Sequence, residues 1–211
     1  MDGTCDRETR LLARLASGDE RALALAFSRH RERLWQMARF RLNGCLAGRV
    51  DEEDVLQEAY LNAATRLKQI PDSDVSSVFL WLRRIVAQTL IDVHRRHDRA
   101  AKRSVRREVP MRAFSPQATS GSIARQLVGR LTSPSNAMMR VELADHLEKA
   151  LAEMDPIDRE VLALRHFEEL TNSEVADVLG IQHKAASIRY VRALDRLKKL
   201  LARVPGLVPD A

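Results

Sequence analysis

The sequence predicts an all-α protein of two small helical domains joined by a connector, on three observations. Leu, Ala, Arg and Glu dominate, while Val, Ile and Thr are sparse and aromatics reach only 4%, a bias toward helix over sheet. Apolar residues recur at three- and four-residue spacing in two long stretches. Between those stretches, from Asp98 to about Ala137, the composition shifts toward Arg, Ser, Pro and Gly. With 211 residues, 45% hydrophobic and 30% charged, the chain is too apolar to be disordered and suits one medium domain or two small ones.

The elements follow in order. Leu11, Leu12 and Leu15 mark a short helix that Ser17-Gly18-Asp19 breaks, with Asp19 placed to cap the next. A helix over roughly 20 to 42 carries Leu23, Phe27, Leu34 and Met37 or Ala38 on one stripe and stops near Asn43-Gly44. Asp51, with Asp54 three residues on, opens a third helix close to the capping-box pattern, favoured by the helix dipole, with Val55, Ala59, Ala63 and Leu67 as its buried face. Pro71 and the polar run to Ser77 end it. A fourth helix carries Val78, Leu82, Ile85, Thr89 and Val93 until charge density rises near Arg95. Ser115 to Ser122 reads as connector, with a short amphipathic piece from Ile123 to Leu131 inside it.

The second unit begins after Ser133-Pro134-Ser135, with Leu143, Leu147, Leu151 and Met154 at helical spacing. Asp155-Pro156, cap then first-turn proline, opens a helix through Val161, Leu164 and Phe167. Thr171-Asn172-Ser173-Glu174 is a capping box for a short helix ending at Gly180, and a longer basic helix runs from near His183 to about Ala202. Short helix, glycine turn and long basic helix form the helix-turn-helix pattern; an ordinary helical hairpin has the same local shape.

Other features narrow the class. Cys5 and Cys45 form no CxxC pair, the N-terminus lacks an apolar signal segment, and no apolar run approaches the roughly 18 to 20 residues that span a bilayer. A soluble, cytoplasmic protein without membrane insertion is the expectation. Lys and Arg number 35 against 29 Asp and Glu, a net charge of +6 that suggests an anionic partner and leaves the proof to charge distribution. The carboxylates of Asp51 to Glu58 fit capping better than metal binding, and His94 and His97 sit in an arginine-rich stretch that suits phosphate better than a cation. No cofactor is expected.

At 100° per residue, Ala186, Tyr190, Ala193, Leu197 and Leu200 share the inward face of the last helix. Lys184, Ile188, Val191, Arg192 and Asp195 then face outward, flanked by Ser187, Arg189 and Arg196. The cations suit phosphates or guanine edges, or simply water; Ile188 and Val191 suit a thymine methyl or another helix.

The motif order resembles the extracytoplasmic-function (ECF) group of bacterial RNA polymerase sigma factors over nearly the whole chain. Asp51-Glu52-Glu53-Asp54-Val55-Leu56-Gln57-Glu58-Ala59-Tyr60-Leu61, then Trp81-Leu82, Ile85, Ile91-Asp92 and Arg95-Arg96, are similar to sigma region 2. Asp155 to Leu162, Glu174 to Ile181, Arg189 and Arg192-Ala193-Leu194 are similar to region 4. The resemblance implies core-polymerase binding by Asp54, Gln57 and Glu58, and minus-10 DNA binding by Arg83, Arg84, Gln88, Arg95 and Arg96. It implies minus-35 DNA binding by Lys184, Ser187, Ile188, Arg189 and Arg192. Trp81 is read as a core anchor ahead of a base-stacking platform. Arg99, Lys102, Arg103, Arg106 and Arg107 extend the positive run into the connector. Gln88 stands where the family often has Asn, Ala64 where an aromatic is frequent, and His183 to Ile188 departs from the usual start of the recognition helix, so a promoter sequence does not transfer.

The resemblance implies a region 2-like domain over 1–98, a linker over 99–133, a region 4-like helix-turn-helix domain over 134–203 and a tail over 204–211. The partners it implies are core RNA polymerase and promoter DNA, with an anti-sigma factor as a further candidate. The function expected is promoter-specific initiation by a dissociable subunit that performs no chemistry. The alternative is a free-standing helix-turn-helix regulator, which has no need of the acidic face at Asp54 and Glu58. A nucleic-acid enzyme is disfavoured because the sequence offers no metal set, nucleophile-base pairing or Gly-rich phosphate loop.

Overall fold

The computed structural model describes residues 3–42, 50–67, 77–103, 118–131 and 137–203, and every regular element among them is an α-helix. The chain divides into two compact units, Met1–Pro116 and Gln117–Ala211. The all-helical, two-unit architecture expected of the sequence is thus the one observed.

The first unit holds α1 (Gly3–Ala16), α2 (Glu20–Leu42), α3 (Glu52–Arg66) and α4 (Val78–Arg103). The turn between α1 and α2 uses Gly18 at φ 83°, in the left-handed region open to glycine. Asp19 then caps α2, its carboxylate accepting from the N–H groups of Arg21 (2.9 Å) and Ala22 (3.1 Å). The Arg14 guanidinium, 2.7 Å away, and the Ala22 N–H hold that carboxyl below its ordinary pKa. Asp51 caps α3 through the N–H of Glu53, 2.9 Å away. The start of α4 is fastened twice: the Ser77 hydroxyl accepts from the N–H of Leu80 and the Glu8 carboxylate of α1 from that of Val78.

Helices α2, α3 and α4 pack against one another around Leu23, Leu34, Met37, Val55, Ala59, Phe79 and Leu82, all buried. Phe27 and Tyr60 meet edge to face at 5.3 Å between α2 and α3. The hydroxyl of Thr89, wholly buried on α4, is satisfied by the Asn62 amide of α3 at 3.0 Å. Trp81 is buried with the core set, which favours anchoring over stacking on bases.

The second unit holds α5 (Ser120–Leu131), α6 (Ala137–Ala152), α7 (Pro156–His166), α8 (Asn172–Leu179) and α9 (His183–Leu201). Arg159 ends α6 by donating to the carbonyls of Leu151 (3.1 Å) and Met154 (2.7 Å), acceptors that a helix C-terminus leaves open. Asp155 and Pro156 open α7 as expected, the carboxylate accepting from the N–H of Ile157. Thr171 and Glu174 close the capping box of α8 at 3.2 and 2.8 Å, and Gly180 ends that helix at φ 63°.

Two expected boundaries fall differently. The first domain's limit at residue 98 lies inside α4, which runs on to Arg103. The span 99–133 expected as linker contains α5, which packs on α6 and α7 with Ile123, Ala124 and Val128 buried. The Ser- and Gly-rich segment reads as connector by composition, yet Thr119 and Ser122 exchange a capping box. The Ser122 N–H donates to the Thr119 hydroxyl (3.1 Å), and the Thr119 N–H to the Ser122 hydroxyl (3.2 Å). One residue earlier, the Ala118 N–H donates to the buried Glu160 carboxylate of α7 at 2.5 Å. The stop signals Asn43-Gly44 and Pro71-Asp72, Arg106, Arg107 and the tail 204–211 lie outside the described residues, and Arg99, Lys102 and Arg103 outside the described side chains.

Candidate functional site

Three surfaces carry the candidate residues, two in the first unit and one in the second. The first is the acidic face of α3. Glu52, Glu53 and Asp54 occupy its first turn, where the helix dipole favours negative charge. Asp54 and Gln57 are exposed. Glu53 meets Arg31 of α2 at 2.5 Å. Glu58 is half-buried and accepts from Arg96 of α4 through both oxygens, at 2.7 and 2.5 Å. A cleft of about 310 Å³ lies beside this pair, lined by Val50, Asp54, Val55, Val93 and His97 as well as the pair itself. Leu61, one turn beyond Gln57, is 63% exposed; its helical spacing from Asp54 and Gln57 is the signal that places it on their side.

The second surface is on α4, where the five expected minus-10 residues separate. Arg84, Gln88 and Arg95 fall within about 40° of one another around the helix, and both arginines are exposed. Gln88 donates to the Asp92 carboxylate at 3.2 and 3.3 Å. Arg96 is turned about 120° from Arg84 and spends its charge on Glu58. Arg83 is only 9% exposed, so the surface track on this face rests on Arg84 and Arg95. His94, 2% exposed, belongs to the core and not to the phosphate-facing surface expected of it. Among the described residues no group of three or more His, Cys, Asp or Glu is arranged to hold a metal ion.

The third surface is α9. Ala186, Ala193 and Leu200 are buried, with Tyr190 and Leu197 half-buried beside them, as the periodicity predicts. Polar bonds fix the helix on that inner side. The Asn172 amide of α8 donates to the Ser187 hydroxyl (3.0 Å), which donates to the carbonyl of His183 (3.2 Å). Arg189 pairs with Asp158 of α7 at 3.1 Å, and the Tyr190 hydroxyl shares a hydrogen bond with His166 at 3.1 Å. Ser187 and Arg189, expected at the DNA, therefore hold α9 against α7 and α8. Lys184, Ile188, Val191 and Arg192 remain exposed within an arc of about 100°. Val191, set on the outward face by periodicity, is exposed among them. Such a face can meet a polyanion through its ends and an apolar group through its middle.

The family model for ECF sigma factors matches residues 6–201. Among curated relatives, the chain is 24% identical over 194 residues to the ECF RNA polymerase sigma factor SigW of Bacillus subtilis (strain 168), covering 90% of this chain and 94% of that one. Among solved structures it is similar to CnrH in complex with the cytosolic domain of CnrY, with 26% identity, 92% and 97% of the two chains covered and a TM-score of 0.53. It also matches the sigma factor RpoE in complex with the anti-sigma factor NepR from Bartonella quintana, at 19% identity, 83% and 96% coverage and a TM-score of 0.44. Among the described residues no helix is long and apolar enough to cross a membrane.

Proposed function

The chain belongs to the ECF sigma factor family, and from that premise we propose how its two units divide the work of directing transcription initiation with core RNA polymerase. The first unit carries the core-binding surface, in which Asp54 and Gln57 meet basic groups of the polymerase directly while Glu58, tied to Arg96, shapes the face from behind. Its α4 track of Arg84 and Arg95, with Gln88, holds the melted minus-10 strand through the strand's phosphates, Arg96 being committed to Glu58. The second unit, 117–203, reads the minus-35 duplex with Lys184, Ile188 and Arg192 of α9, Ser187 and Arg189 acting as its fasteners. The protein works in the cytoplasm, alongside its polymerase and DNA, and contributes positioning without bond chemistry. CnrH was solved in complex with the cytosolic domain of CnrY, and a protein partner bound in that manner is carried over here as part of the proposal.

The observation that carries this division is the segregation of charge: an exposed acidic face on α3 in one unit, and an exposed cationic face on α9 in the other. A free-standing regulator is disfavoured because the family match takes in both units. Run-off transcription with purified core polymerase tests the reading. The chain should direct initiation from selected promoters, and failure to support any promoter-dependent transcript would refute it.

A further inference from the structure

We infer that Ile188 and Val191 form an apolar reading pair for thymine 5-methyl groups in the major groove, so that the preferred minus-35 element carries thymines on adjacent or next-adjacent base pairs. The inference rests on the proposed reading of the second unit as the duplex-binding one.

Ile188 is 42% and Val191 64% exposed, and they lie three residues apart on α9. Isolated exposed apolar side chains are ordinary, but two β-branched ones on the outer face of a helix-turn-helix second helix are not scattered. Three polar neighbours on this helix are already engaged: Ser187 with Asn172 and the His183 carbonyl, Arg189 with Asp158, Asp195 with Lys199 at 2.7 Å. Lys184 and Arg192 are exposed one turn to either side of Ile188.

Charge selects the occupant. The sequence of α9 holds six Lys and Arg residues and one acid, Asp195, so the face suits a polyanion. Among base edges in the major groove, the apolar feature is the thymine methyl. The geometry agrees: three residues advance a helix about 4.5 Å and turn it about 60°, against about 3.4 Å per base step, so the two side chains meet neighbouring steps. Both are β-branched and stiff about χ1, so little side-chain freedom is lost on contact.

The test uses the full chain assembled with core polymerase. A minus-35 element is selected from a randomised duplex library, and each of its thymines is replaced by deoxyuridine, which removes the methyl and leaves the hydrogen-bonding edge intact. Wild-type binding should weaken about fourfold for each contacted methyl, the worth of one buried methyl-sized group. Ile188→Ala should abolish the sensitivity at one position and Val191→Ala at its neighbour, and alanine at exposed helix sites leaves the fold in place. Three results overturn the inference: a selected element without thymine, uridine tolerated at every position, or uridine sensitivity that persists in both variants. Loss of core capture in the variants, without any uridine effect, assigns the pair to a protein contact and likewise overturns it. Failure of the wild type to select any element strikes the duplex-binding reading itself and is distinguishable from these.

Discussion

Arg96 donates through one nitrogen, Nη2, to both carboxylate oxygens of Glu58, at 2.7 and 2.5 Å, so an ion pair joins the helix bearing the acidic face to the helix bearing the basic track, beside the Asn62–Thr89 hydrogen bond. Both side chains keep solvent contact, 35% for Glu58 and 58% for Arg96, which limits the worth of the pair to about 0.2–1 kcal/mol. Its value lies in registering α3 on α4.

Asp54 is therefore the cleaner probe of core binding. Asp54→Lys changes an exposed charge and should weaken capture by core polymerase with little change in melting temperature. Glu58→Lys sets two cations against each other and should lower both. A pull-down alongside thermal melts checks this, and full capture by the Asp54→Lys protein would remove α3 from the interface.

The Asp158–Arg189 pair predicts a different pattern in the second unit. Arg189→Ala should reduce stability by about 1 kcal/mol at most and weaken DNA binding alike for all sequences, because it loosens α9 on α7. Asp158→Ala should do the same, and the double variant should lose less than the sum of the two. If Arg189→Ala relaxes selection at one base pair while Asp158→Ala does not, Arg189 reads a base after all.

Periodicity made the helices and their buried faces legible: Ala186, Ala193 and Leu200 follow from 100° per residue, and Asp51, Asp155, Thr171 and Gly180 announce their own caps. Tertiary commitment was not legible. Arg83 and Arg189 look like surface cations in a string of letters, but one is buried and the other has a partner 31 positions away. The amphipathic stretch Ile123 to Leu131 showed through the connector composition, but the start of α5 at Ser120 did not, because its capping box pairs Thr119 with Ser122 where the familiar pattern has Glu or Gln. The buried acceptor for Ala118 is supplied by Glu160, 42 residues on.

That docking makes α5 a working part of the second unit's core. Ile123 is buried, so Ile123→Ala should cost about 2–5 kcal/mol, measurable by denaturant unfolding of the full chain followed in the second unit. Gly121→Ala is the contrasting case: its new Cβ would come within 2.9 Å of the Glu148 carboxylate, the far end of a long side chain, so a shift of that carboxylate and not of the core accommodates it. Equal tolerance of both substitutions would return 118–131 to the role of connector.

Arg192 and Lys199 separate base reading from phosphate attraction along α9. Arg192 is exposed one turn beyond Ile188, within reach of base edges if the start of the helix enters the groove. Lys199 lies two turns further on, paired with Asp195 at 2.7 Å, too far along to touch more than backbone. Arg192→Ala should cost about 1–3 kcal/mol at the preferred minus-35 element and flatten preference at one position, the signature of a lost base contact. Lys199→Ala should weaken every sequence alike and lower the slope of log affinity against log salt by about one at most, less if Asp195 already neutralises it. Binding of both variants to a minus-35 library at two salt concentrations measures the two effects separately. Equal, sequence-independent losses for both would mean that α9 holds phosphates along its whole length and leaves base reading to its apolar pair or to the shape of the duplex.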